Sequence, residues 1–214
     1  MSGFAAATDI GTPRGTARIH LHRADRPLAA LVISHGAGGG VDAPDLVSAT
    51  EAALSERVSV ALVEQPYRVA GRRSPAPAKH LDEAWIAVIA HLRHGDLAGL
   101  PLIVGGRSMG ARVACRTADQ TGAVAVLCLA FPLELPRRKG KPPPQSRLEE
   151  LDAVTLPTLV VQGDRDRFGM PPASPSREVL RVPGDHGLKA DPEAVAAAVR
   201  AWLPAAIAEA ALAG

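Results

Sequence analysis

Aromatic residues are scarce: the 214-residue chain has two Trp, one Tyr and three Phe, 3% of its composition. An interior this poor in rings must be filled by Ala, Val and Leu, which suits helices packed closely on a sheet better than an aromatic-lined groove. Cysteine is nearly absent. The two present, Cys115 and Cys128, make neither a disulfide framework nor a metal-ligand spacing, and their apolar surroundings predict reduced, buried thiols. Long apolar runs are missing too. None approaches the ~18 residues needed to cross a bilayer, and the first residues lack the charged and apolar segments of a secretion signal. A cytoplasmic location is therefore expected. Nor is there an excess of charge of one sign, the net charge being +2. The densest basic cluster, Arg137, Arg138, Lys139 and Lys141, sits in a proline-rich stretch without aromatics. That pattern describes a solvated loop rather than a nucleic-acid surface.

What is present is the balance of a globular protein, 47% hydrophobic and 21% charged. The length suits one domain with a sizeable core and is short for two, so residues 1–214 are read as a single domain. Short apolar runs bounded by turn residues fall at 28–34, 58–63, 101–105, 123–131, 157–163 and 179–182, the signature of parallel strands covered on both faces. Alternation of Ala17, Ile19 and Leu21 with polar residues adds an edge strand at 16–22. Helical periodicity occupies 44–56 and 80–94, the latter with Leu81, Ala84, Trp85, Val88, Ile89 and Leu92 on one face. Another helix follows at 109–118. Asp191 and Pro192 open a last one as N-cap and first-turn proline, which Pro204 is expected to kink or end. Strands alternating with helices predict an α/β fold, a mostly parallel sheet with helices on both faces. The irregular stretch 132–148 is too short and polar for a folded cap, so an open site is expected.

The sharpest motif is Gly106-Arg107-Ser108-Met109-Gly110, a G-x-S-x-G placed directly after a strand and before a helix. A nucleophile on so tight a turn is strained and needs small neighbours, and the following helix turns its N–H groups and positive end toward a developing oxyanion. The alternative is that Ser108 only caps the helix. His35-Gly36-Ala37-Gly38-Gly39 ends the first buried strand. Glycines there let the main chain approach a substrate carbonyl, so the amides of Ala37 and Met109 are the expected oxyanion donors, with Gly38 in place of Ala37 as a variant. The glycine run lacks the Lys and Ser/Thr of a phosphate-binding loop and the spacing of a dinucleotide fingerprint. His35 reads as a structural hydrogen-bonder of that loop. An acid is expected just past a later strand, at Asp166 with Asp164 in reserve, and a base at His186 between glycines in the next loop. Asp185, adjoining His186, is the poorer partner because side chains of neighbouring loop residues diverge. The order Ser108, Asp166, His186 is the one a nucleophile-elbow hydrolase requires. The remaining histidines at 20, 22, 80, 91 and 94 read as solvated surface residues, not a metal site.

These segments resemble a group within the α/β-hydrolase superfamily: residues 35–39, 64–73 (Glu-Gln-Pro-Tyr-Arg-Val-Ala-Gly-Arg-Arg), 105–112, 161–169 (Val-Gln-Gly-Asp-Arg-Asp-Arg-Phe-Gly) and 184–188. The group is that of small, lidless bacterial hydrolase-like proteins, related to a scaffold subunit of the eukaryotic nonspecific-lethal chromatin-acetylation complex. Dienelactone hydrolases are more loosely similar, with a Cys nucleophile where Ser108 stands. The resemblance implies an α/β-hydrolase fold without a cap domain and a serine hydrolase acting on a small carboxylic ester or thioester through Ser108, His186 and Asp166. No cofactor or metal is implied, and no nucleic-acid or membrane partner; the expected partner is a small acyl substrate, with a monomer or homodimer both open. The non-enzymatic branch makes a binding or scaffold protein the alternative. Arg107 or Arg68 could contact an anionic part of the substrate, against which stands an internal ion pair of Glu64 with one of these arginines.

Overall fold

The structure, a computed structural model, describes residues 7–135, 140 and 145–213. Along the chain run β1 (Thr8–Thr12), β2 (Gly15–His22), β3 (Ala29–Ser34), α1 (Pro44–Ser55), β4 (Val58–Glu64), α2 (Pro66–Val69), α3 (Ala78–His94), β5 (Leu102–Arg107), α4 (Met109–Thr121), β6 (Ala125–Leu129), α5 (Leu148–Asp152), β7 (Thr158–Gly163), β8 (Arg177–Val182) and α6 (Pro192–Ala213). One eight-stranded sheet has the order β1-β2-β4-β3-β5-β6-β7-β8. From β4 to β8 every pairing is parallel, and β1 and β2 add on antiparallel. The expected edge strand is thus β2, one place in from the edge. The true edge is β1, whose burial pattern shows a single buried residue, Ile10, too little alternation to be legible.

Alternation along each buried strand divides the core into two layers, since successive side chains point to opposite faces. Leu31 and Ile33 of β3 join Leu127, Leu129, Leu159 and Val161 against α1 and α6. Val32 of β3 joins Val104, Val126 and Val160 against α3 and α4, where Trp85 fills the largest share. Helices therefore cover both faces. No cap domain stands among the described residues; the basic cluster of 137–141 lies outside them, apart from Gly140.

The outer face of α4 is braced by charge. Arg116 makes paired bonds of 3.0 and 2.6 Å to the Asp82 carboxylate on α3, and Arg112 bonds of 2.8 and 2.5 Å to Glu150 on α5. Forked guanidinium–carboxylate pairs fix orientation as well as distance. Cys115 and Cys128 are both buried thiols, with sulfurs 3.5 Å apart, and the Cys115 contact and burial push the Cys128 thiol well above its ordinary range. Pro204 does not end its helix, since α6 continues through it to Ala213. Pro204 and Arg200, whose carbonyl loses its helical donor, are both exposed, so water can satisfy that carbonyl while Leu203 and Ala206 stay packed in the core.

Candidate active site

The parallel strands deliver their carboxyl ends to one rim of the sheet, and the chemistry-bearing residues lie in the loops that leave it. At the end of β5 the chain turns so sharply into α4 that Ser108 sits at φ 52° and ψ −105°, a left-handed backbone that is costly for a non-glycine residue. The flanking glycines make the turn possible. A Cβ on Gly110 would stand 2.5 Å from the Ser34 carbonyl oxygen, and one on Gly106 would stand 2.6 Å from the Gly110 carbonyl carbon. The Ser108 hydroxyl makes no cap bond to α4, which removes the capping alternative. It lies 2.9 Å from His186 Nε2.

His186 Nδ1 lies 2.8 Å from Asp166 Oδ2. Because an ionised carboxylate only accepts, Nδ1 carries the proton and Nε2 is left to accept from the serine hydroxyl. The Asp166 side chain is completely buried, and its Oδ1 accepts the Phe168 N–H at 2.9 Å. Asp164, held in reserve, is occupied elsewhere: its Oδ1 accepts the Gly184 N–H at 2.8 Å. Asp185 turns back on its own loop to accept the Gly187 N–H at 2.9 Å. Three residues separated by up to 78 positions thus form one relay.

The glycine loop after β3 is tied down by its carbonyls. His35 accepts the Gln65 N–H at Nε2, 3.1 Å, and donates from Nδ1 to the Gly36 carbonyl, 2.8 Å. Burial pulls the His35 imidazole below its ordinary range, so the neutral tautomer these bonds require is the one held. The Tyr67 hydroxyl donates to the Ala37 carbonyl at 2.9 Å, and burial pushes its pKa up to about 12. With those carbonyls pinned, the amides of Ala37, Gly38 and Met109 have no acceptor among the described residues.

A family model for the alpha/beta hydrolase domain matches residues 27–189. The chain belongs to the α/β-hydrolase family. No curated protein sequence matches it. Among solved structures it is similar to Est1E from Butyrivibrio proteoclasticus, at 16% identity and TM-score 0.76, over 95% of this chain and 100% of that one. It is similar also to a lidless serine hydrolase from Xanthomonas campestris (16%, TM-score 0.73, 96% of each chain). A dienelactone hydrolase from Anabaena variabilis matches at 16% and 0.74, over 94% of this chain and 96% of that one. At such identities the likeness is one of fold.

Around the relay of this α/β-hydrolase, several side chains have roles that the sequence did not disclose. Phe168 lies against the His186 ring, centroids 4.3 Å apart. Arg107 does not reach into open solvent: its guanidinium lies 3.2 Å from the wholly buried Asp45 carboxylate and donates to the His186 carbonyl at 3.0 Å. Asp45 stands in the first turn of α1, where a negative charge is favoured, although burial pushes its carboxyl above the ordinary range. Glu64 pairs with neither arginine; it meets His20 Nε2 at 2.7 Å, so His20 is half-buried and partnered rather than merely solvated. The Arg68 side chain, on α2, makes no hydrogen bond or ion pair among the described residues. Beside the glycine loop a cleft of about 380 Å³ is lined by Gly38, Gly40, Arg107, Gly187 and Lys189.

Proposed function

We propose that this chain is a serine hydrolase that cleaves a small carboxylic ester or thioester through an acyl-enzyme on Ser108. The observation that carries this reading is the continuous relay from the Ser108 hydroxyl through His186 to Asp166, at 2.9 and 2.8 Å, with the serine held at positive φ. In it, Ser108 Oγ bonds to the acyl carbon as its proton passes to His186 Nε2. Asp166 holds the Nδ1–H tautomer and offsets the imidazolium charge. The amides of Ala37 and Met109, or of Gly38 in place of Ala37, receive the oxyanion of the tetrahedral intermediate; loss of one such donor costs roughly 2.7–4 kcal/mol in the barrier. The imidazolium then returns its proton to the departing alkoxide or thiolate, and water repeats the sequence in reverse on the acyl-enzyme. Neither cofactor nor metal has a part in these steps.

Est1E has been determined with ferulic acid bound, a small carboxylic acid of the kind this reaction releases. Arg68 is our candidate for contact with an anionic substituent, since Arg107 is engaged by Asp45 and His186. The test is turnover of short p-nitrophenyl esters beside acyl-thioesters by the wild-type chain and Ser108→Ala. Turnover abolished by the substitution supports the reading. A folded wild-type chain inert toward both classes would instead favour a binding or scaffold role.

A further inference from the structure

Along β7 the sequence Thr-Leu-Val-Val-Gln-Gly is buried at every position, and Gln162 places a polar amide where the pattern calls for an apolar side chain. It lies on the same strand face as Val160, which packs into the layer beneath α3 and α4. Gln162 has no exposed surface. An amide is retained at such a depth only at a cost, unless its hydrogen bonds repay desolvation. Its Nε2 lies 2.8 Å from Asp166 Oδ2, 2.9 Å from the Gly169 carbonyl and 3.0 Å from the Phe131 carbonyl. Its Oε1 is buried without a partner among the described residues. The orientation of the amide follows from this set: reversed, its oxygen would face three other oxygens, so the nitrogen belongs there. Two hydrogens shared among three acceptors leave no freedom for the group to turn.

We propose that Gln162 is a positioning residue of the relay: its side-chain amide clamps the Asp166 carboxylate in the orientation that faces His186. This rests on the hydrolase reading of Ser108. Asp166 Oδ2 accepts from two donors, His186 Nδ1 and Gln162 Nε2, and Oδ1 accepts from the Phe168 amide. The carboxylate plane is thereby held at both oxygens. The bonds to Phe131 and Gly169 anchor the clamp in turn, one beyond the end of β6 and one on the acid's own loop. Without the Gln162 donor, Oδ2 retains only the imidazole, and two consequences follow. The carboxylate gains freedom to pivot, which lowers the fraction of molecules with an oriented imidazole. Its charge is also less spread by hydrogen bonding, so it stabilises the imidazolium more strongly, and His186 holds its proton to higher pH. The other charges around this pair remain in place: Arg107 on the His186 carbonyl, Asp185 turned to Gly187, Arg165 paired with Asp164, and Arg167 over the Phe168 ring.

The experiment compares Gln162→Leu with the wild type on p-nitrophenyl acetate across pH. The expected result is a fall of about tenfold in kcat, the scale of one hydrogen bond to a charged group, with KM little changed and the acid limb of kcat/KM displaced to higher pH. A folded Gln162→Leu whose acid limb stays in place overturns the clamp, even if kcat falls, because lost packing alone would not move that limb in a set direction. A second measurement needs no substitution. In the ¹⁵N-labelled wild-type chain the Gln162 side-chain amide resonance should shift with the same midpoint as the His186 imidazole, and a flat response across that titration overturns the clamp. Should the wild type prove inert toward esters and acyl-thioesters alike, the hydrolase reading fails, and the resonance experiment still decides whether Gln162 holds Asp166.

Discussion

A serine hydroxyl becomes a candidate nucleophile through where its backbone holds it, and at Ser108 two glycines set that position. A Cβ on Gly110 would press on the Ser34 carbonyl oxygen at 2.5 Å, against backbone that has no rotamer to change. Gly110→Ala is expected to destabilise the fold by at least the roughly 1–3 kcal/mol typical of overpacking, read as a lower midpoint in urea unfolding. His35 carries a different signature. Its buried imidazole resists protonation below its ordinary value of 6.5, whereas the unfolded chain's does not. As pH falls through 6.5 the unfolded state binds more protons, so stability declines on acidification. His35→Gln, which keeps an acceptor near the Gln65 N–H, should flatten the dependence of unfolding free energy on pH below 6.5. An unchanged slope would refute the assignment. At this scale Ser108, Asp166 and His186 were legible because glycines and turn positions mark them locally. Gln162 and Asp45 were not. Asp45 meets Arg107, far away in sequence, and Gln162 stands inside a buried strand with Phe131, one of its three partners, also remote, so no local pattern announces them.

At the scale of elements, the residue between Gly106 and Ser108 ties three segments together. Arg107 leaves the end of β5, meets Asp45 in the first turn of α1, and holds the carbonyl of His186 beyond β8. An arginine reading substrate charge and one bracing the base loop make opposite predictions. The bracing role implies that Arg107→Ala lowers kcat by about tenfold, equally on neutral and acidic esters, and that Asp45→Asn acts in the same direction. An effect confined to KM for acidic esters would assign the charge-reading role to Arg107 after all. The helix α6 offers a separate check. Pro204 withholds a donor from the exposed end of Arg200, and helix interiors disfavour proline by roughly 3 kcal/mol relative to alanine. Pro204→Ala should therefore raise the melting temperature. Proline's usual meaning as a stop was misleading here because tertiary packing of Leu203 and Ala206 on the sheet outweighs the missing bond. The strand β1 escaped notice for a related reason: an edge strand with only Ile10 buried presents almost no hydrophobic alternation to read.

For the whole molecule, the architecture explains why residues so far apart in sequence converge. Parallel strands β3, β5, β7 and β8 all end on one rim, and their loops bring the glycine segment, Ser108, Asp166 and His186 to the same place. Apolar runs interrupted by helical patterns were enough to foresee a mostly parallel sheet covered on both faces. Strand order was not, since it depends on which runs pair across the sheet rather than on any run alone. The central claim, that Ser108 is a nucleophile activated by its relay, is tested most directly by intact-mass measurement after exposure to a fluorophosphonate. The account predicts one adduct per chain, mapped to Ser108, absent in Ser108→Ala and strongly slowed in His186→Ala. A folded chain that takes up no adduct, or an adduct that persists in Ser108→Ala, would contradict it.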